Sequence, residues 1–347
     1  MTLKLIDSGD GQQTYDSSKW AGGSGTRSWV SAPSGQSGTW FQLSNGPQRR
    51  FQDVSYTGDT PILGFRTELP SSGPTNSPLA IFGYWNGSAN VQHLYIDITP
   101  TGFRLLDGAS NGSVLTTGGT PFTYGSGVRY IEIKVKVHSS TGTVEIREDE
   151  VVLWSATGVD TQQGATAIAN SCSILSATAS NVTTNWKFRD VYICGTDGSA
   201  NNNFLGVFKT GVKTVSGAGN SAQFTANGAA TPRECVDDGT TVDNDTTYAS
   251  SATAGQQDTH ALTSSGLTSG AVIRGTQTNI VMRKDDVDPR SGAAVIRSGS
   301  TDYPQTTLSL GTSYVLDRLI QEVDPNTSSA WLQTNLDAAE LGYKVIS

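Results

Sequence analysis

The residues able to do chemistry are few, and their spacing limits what that chemistry could be. Histidine occurs only at His93, His138 and His260, and cysteine only at Cys172, Cys194 and Cys235. No Cys-x-x-Cys or Cys/His spacing suits zinc. An odd number of thiols makes no disulfide framework, so they read as small buried hydrophobes. The densest acidic run is Glu145, Glu148, Asp149 and Glu150. Glycoside hydrolysis needs two carboxyls about 5–5.5 Å or about 6.5–9.5 Å apart. This run has instead the character of a solvated hairpin tip. The expectation is a chain that is not an enzyme and has no catalytic residue.

Two acidic clusters, Asp243-Asn244-Asp245 and Asp285-Asp286-Val287-Asp288, offer the hard oxygen ligands that calcium takes. Neither has the glycine and distal glutamate of an EF-hand loop. The second runs into Pro289 and Gly292 as a plain turn. No metal and no cofactor are expected, calcium being the ion these clusters would suit. Trp20, Trp29, Trp40 and Trp85 lie among glycines and serines. Trp85, Asn86 and His93 are the candidate glycan contacts, an aromatic platform beside hydrogen-bonding groups. The opposing reading places the tryptophans in a core or a subunit interface.

The elements that must position these groups are strands. Apolar residues alternate with period two. Ile131, Ile133, Val135 and Val137 alternate with Tyr130, Glu132, Lys134 and Lys136, which predicts one dry and one wet face. A meander follows through residues 143–147 and 151–155. Strands are also predicted at 62–69, 79–84, 94–98, 103–106 and 186–193. Beyond a Gly/Asn-rich linker at 195–203, they resume at 204–214, 271–278, 279–283, 293–298 and 314–322. One short helix is expected within 334–344, capped by Thr334 or Asn335 and stopped by Gly342. The fold class is all-β: two β-sandwich domains, 1–195 and 196–347, with one short C-terminal helix.

Composition agrees. The 347 residues suit two domains. Hydrophobic residues make up 35% and charged ones 16%, with 39 glycines. These shares lie below the usual ~45–50% and ~25%, as many short strands joined by many turns require. The net charge is −8. Without a basic stripe, no nucleic-acid partner is expected. The N-terminus lacks the apolar core of a signal peptide, and no run approaches the ~18–20 apolar residues of a membrane helix. The expectation is a chain made in a host cytoplasm with no membrane insertion.

Tyr130-Ile131-Glu132-Ile133-Lys134-Val135, Gly142-Thr143-Val144-Glu145-Ile146, Val151-Val152-Leu153-Trp154 and Phe188-Arg189-Asp190-Val191-Tyr192-Ile193 follow one another in the first half. This order resembles the concanavalin A-like or laminin-G-like jelly roll. The second half carries Phe204-Leu205-Gly206, Val236-Asp237-Asp238, Asp243-Asn244-Asp245-Thr246-Thr247-Tyr248, Gly255-Gln256-Gln257-Asp258 and Val323-Asp324-Pro325-Asn326-Thr327-Ser328-Ser329-Ala330-Trp331. The whole is similar to structural proteins of tailed-phage virions, in which a glycine often stands where this chain has Ser328. The resemblance implies a bacteriophage virion structural protein, in the tail adsorption apparatus or decorating the capsid. It would assemble with other virion proteins as a homo-oligomer, a trimer, and act by multivalent contact. The alternative is a lectin-like carbohydrate-binding module that recognises host surface glycan.

Overall fold

The computed structural model describes residues 2–8, 20, 26–44, 48–53, 55–69, 76–125, 127–175, 186–239 and 242–347. Among the described residues the chain is nearly all β, with antiparallel sheets and a single short helix near the C-terminus. It divides into two compact units, the first reaching to Thr210 and the second running from Gly211 to Ser347.

The strands of the first unit are β1 (Leu3–Asp7), β2 (Thr26–Ser31), β3 (Thr39–Ser44), β4 (Gln48–Gln52), β5 (Ile62–Glu68), β6 (Ser77–Trp85), β7 (Asn90–Thr99), β8 (Gly102–Asp107), β9 (Val114–Gly118), β10 (Val128–Lys136), β11 (Gly142–Glu148), β12 (Val151–Val159), β13 (Ser171–Leu175) and β14 (Lys187–Cys194). An eight-stranded sheet runs β12-β11-β10-β5-β14-β3-β2, with β1 also on β14. A six-stranded sheet runs β4-β13-β6-β7-β8-β9.

One apolar core lies between the two sheets. The eight-stranded sheet supplies Phe41, Phe65, Ile131, Ile133 and Phe188, and the six-stranded sheet supplies Phe82, Leu94, Ile96 and Phe103. Phe41 stacks on Phe188 at 5.4 Å, and Phe103 on Trp154 at 6.0 Å. Trp20, Trp40 and Trp186 are fully buried. Each large side chain removed from water contributes roughly 1.5–3 kcal/mol. Most of the early tryptophans therefore serve the fold.

The second unit comprises β15 (Val215–Ala222), β16 (Thr225–Asn227), β17 (Tyr248–Ser250), β18 (Gln257–Leu262), β19 (Thr276–Met282), β20 (Arg290–Ser298), β21 (Thr301–Pro304), β22 (Leu308–Leu310), β23 (Val315–Gln321), α1 (Gln333–Ala338) and β24 (Glu340–Val345). A six-stranded sheet, β15-β18-β24-β20-β21 with β22 on β20, is joined by the ribbons β16-β17 and β19-β23.

Three expectations are corrected. The outer face of β10 is dry at its start, where Tyr130 and Glu132 are each 1% exposed, while Lys134 and Lys136 further along it are partly exposed. Tyr130 and Glu132 are covered by residues 203–210, which form no strand and lie on this sheet instead. Those residues belong to the first unit, so the division falls after Thr210 and not at 195. The helix is also shorter than expected and lacks a side-chain cap. Gly342 does not stop it but lies inside β24 opposite Thr259. A Cβ there would overlap the Asp258 carbonyl oxygen of β18.

Gly342 and Gly217 make a matched test, since a Cβ at Gly217 meets only the Ala261 Cβ at 3.6 Å. Gly342→Ala is expected to destabilise the second unit by about 1–3 kcal/mol in urea denaturation. Gly217→Ala is expected to shift it by no more than about 0.5 kcal/mol.

Candidate functional site

The strands β6 and β7 meet at one rim of the six-stranded sheet through the turn 86–89. Phe82 and Ala80 point into the core, so Ile81, Gly83 and Trp85 alternate onto the outer face. Trp85 is directly opposite Asn90, and Gly83 is opposite Gln92. Trp85, Asn90 and Gln92 are all half-buried. The Trp85 main chain is gripped by a side chain. Its N–H donates to Asn170 Oδ1 at 2.6 Å, and its carbonyl accepts from Asn170 Nδ2 at 3.0 Å. Asn170 is itself buried.

Asn86 and His93 flank this platform but point their polar atoms elsewhere. Asn86 Oδ1 accepts from the Ser88 N–H, the Ser88 hydroxyl and the Ala89 N–H, closing the turn. His93 has no exposed surface. It is the extra residue of a bulge where β7 slips against β6. Its Nδ1 accepts from the Gln163 N–H at 3.1 Å, so Nε2 carries the proton and donates to the Ile168 carbonyl at 2.9 Å. Its own carbonyl accepts from the Gly108 N–H. His93 thus ties loops 107–113 and 160–168 to the rim, and burial holds its pKa below the ordinary value. The structure brings Trp85 and Asn86 together in chain order and places His93 beneath them. The contributors that the sequence does not flag are Asn90, Gln92 and Asn170.

The other candidates disperse. Glu145 pairs with Arg147 at 2.7 Å, and Glu148 lies buried, accepting from the Thr123 N–H at 3.0 Å. Asp149 and Glu150 turn the hairpin with positive φ. Asp245 accepts from Arg283 and Tyr314, and Asp286 from Arg290. Among the described residues, no three His, Cys, Asp or Glu side chains converge as metal ligands. The three cysteines are buried, Cys194 Sγ donating to the Asn203 carbonyl at 3.9 Å, and burial pushes the Cys172 thiol up. Gly108-Ala109-Ser110-Asn111-Gly112 carries the Gly-x-Ser-x-Gly spacing of a nucleophile elbow. It forms the β8–β9 loop, not the strand-to-helix turn that such an elbow needs.

A second polar centre lies on the outer face of the eight-stranded sheet. Glu132 Oε1 accepts from the Tyr192 hydroxyl and from the Leu205 and Gly206 N–H groups. Asp190, at φ +52°, accepts from Arg66 at 2.8 Å and from the Thr210 N–H at 3.1 Å. Tyr192 reaches Glu132 by lying across Gly64, where a Cβ would overlap its ring. Burial raises the Glu132 pKa above the usual carboxylate value.

No protein-family model matches the sequence, and no curated protein matches it. Solved structures do. A conserved carbohydrate esterase from the Shiga toxin-encoding bacteriophage phi24B is 13% identical over 55% of this chain and 98% of its own, with a TM-score of 0.36. Domain 4 of an extracellular arabinanase from Geobacillus stearothermophilus, in complex with arabinotriose, is 14% identical over 56% of this chain and 93% of its own, with a TM-score of 0.34. The Trypanosoma rangeli sialidase is 13% identical over 56% of this chain and 30% of its own, with a TM-score of 0.35. These are β-sandwich domains of carbohydrate-active or carbohydrate-binding proteins. The expectation that the chain is not an enzyme is therefore corrected, because an esterase and a sialidase are among its structural neighbours.

A histidine whose folded pKa lies below its unfolded value stabilises the fold fully above the unfolded pKa and progressively less as pH falls. The stability advantage of the parent over His93→Gln is expected to shrink between pH 7.5 and pH 5. The loss is at most about 1.4 kcal/mol per pH unit, read from thermal or urea unfolding of the first unit.

Proposed function

We propose that the first unit is a glycan-binding module with Trp85 as its contact platform. The observation that carries this reading is the partly exposed Trp85 side chain on an outer sheet face, held through its own main chain by Asn170. An indole presents a flat apolar face and one N–H donor. The Asn90 and Gln92 amides beside it both donate and accept. Asn90 Oδ1 is buried and has no hydrogen-bond partner among the described residues. This combination suits a ring with one apolar face and a rim of hydroxyls. Fixing the platform beforehand lowers the ordering cost of binding. In this reading Asn86 and His93 are positioning residues, not sugar contacts.

Glycan-array screening followed by calorimetry on the intact chain tests it. Trp85→Ala is expected to weaken binding at least about tenfold, roughly 1.4 kcal/mol, in a chain that still unfolds cooperatively above the assay temperature. Asn90→Ala is expected to weaken it less. Unchanged affinity in Trp85→Ala would remove the reading.

A second reading, compatible with the first, is a structural protein exposed on a phage particle. It is supported by the order of motifs after Asp190 and by the geometry of the segment from Asp324 to Trp331. Asp324 is fully buried and accepts from the Ser298 hydroxyl at 2.6 Å, the Asn326 N–H at 3.0 Å and Asn335 Nδ2 at 2.8 Å. Ser328, where similar virion proteins often have glycine, has φ +55°. That conformation accounts for a glycine preference. Mass spectrometry of purified particles is expected to find the chain at fixed stoichiometry, and its absence from them rules this reading out.

A further inference from the structure

Residues 203–210 are fastened to the eight-stranded sheet at two carboxylates, Glu132 at one end and Asp190 at the other. Between them the Phe208 carbonyl accepts from Arg66, and the Phe208 ring meets Tyr192 edge-on at 5.4 Å. Phe204 lies under the Arg147 guanidinium at 3.9 Å. The two fastenings differ in kind. Both oxygens of Asp190 accept hydrogen bonds, one from Arg66 and one from Thr210. Glu132 uses only Oε1, while Oε2 is buried with no hydrogen-bond partner among the described residues.

The groups around Glu132 come from every strand beside it. Arg147 stands directly opposite on β11, and its Nε is bound to Glu145. Gly64, opposite on β5, brings no charge. Tyr130 and Lys134 precede and follow it on the same face of β10, and Tyr192 and Cys194 face it from β14. Arg66 and Asp190 are paired with each other, and Glu150 lies beside Gly206.

We propose that Glu132 is the bolt of a proton-controlled latch: the strap 203–210 lies closed when Glu132 carries a proton and loosens when the carboxylate ionises. A carboxylate with one bare oxygen in a dry site is costly, and a proton removes the charge. The fastening survives protonation. With the acid proton on Oε2, Oε1 remains a carbonyl oxygen that still accepts from the Tyr192 hydroxyl and from the Leu205 and Gly206 N–H groups. Burial raises the Glu132 pKa, against the opposing pull of Tyr192, Gly206, Arg147 and Leu205. The closed form therefore binds more protons than an open, hydrated one, and closure weakens as pH rises. An opened strap would add eight residues of free tether ahead of Gly211, up to about 27 Å when extended.

Hydrogen exchange of the intact chain from pH 5 to pH 9, corrected for intrinsic exchange, tests the latch. Protection of the Leu205 and Gly206 amides is expected to fall with pH, by up to about tenfold per unit. The Ile133 amide in the core should stay level. Glu132→Gln should flatten the strap profile, and Thr210→Ala should lower protection at every pH while keeping the slope. A flat strap profile in the parent overturns the proposal, as does a slope that persists in Glu132→Gln. If Glu132→Gln fails to fold, shown by lost Ile133 protection, the parent and Thr210→Ala decide. A slope confined to the strap in both supports the latch, and its absence overturns it.

Discussion

Two buried carboxylates govern how the first unit is finished. Glu132 and Asp190 stand on the side of the eight-stranded sheet that faces away from the core, where water would normally hydrate them. Here they are 1% and 2% exposed. Buried carboxylates must receive donors, and the sheet's own N–H groups are taken by the β-ladder. The donors come from the chain that follows β14: the Leu205, Gly206 and Thr210 amides. The segment after the last strand therefore belongs to the sandwich although it is not regular structure. Gly64 is part of the same constraint, because only a residue without a side chain lets Tyr192 cross to Glu132.

The rim around Trp85 is built on the opposite principle. Its polar groups are consumed locally, and the aromatic surface is left over. Asn86 spends its oxygen on its own turn, His93 uses both ring nitrogens on the 160–168 loop, and Asn170 uses both amide atoms on the Trp85 main chain. What remains partly exposed at that rim is the fixed Trp85 side chain with Gln92 beside it, while Asn90 Oδ1 is buried. Rigidity of the frame and availability of the platform have the same origin.

The all-β class and the strands β5–β8, β10–β12 and β14 of the first unit were legible in the sequence because alternation leaves a signal every second residue, whereas β1–β4, β9 and β13 were not legible. Ile131, Ile133 and Val135 point where their pattern says. The burial of Tyr130 and Glu132 was not legible. Whether a polar face is wet depends on a segment more than seventy positions away, and no local periodicity encodes that. The strand expected from residue 204 failed for the same reason: Phe204, Leu205 and Phe208 are apolar to cover a sheet, not to join one. His93 reads in the sequence as a candidate glycan contact, and its burial was not legible because a bulge is invisible to spacing. Trp85 and Asn86 were legible as a pair, but Asn170 was not, since its partner is a main chain and not a side chain. The short helix was visible, but Gly342 was misassigned because its constraint is the close approach of β18.

The grip of Asn170 on Trp85 also bears on how this rim can change. A side-chain amide that both accepts from and donates to one residue's backbone does the work of a neighbouring strand at a single position. The turn 86–89 is then not what holds the indole in place. Residues in that turn can be exchanged, lengthened or shortened with the platform left where it is. The rim is therefore modular: the mount at Asn170 and the loop beside it are separate parts.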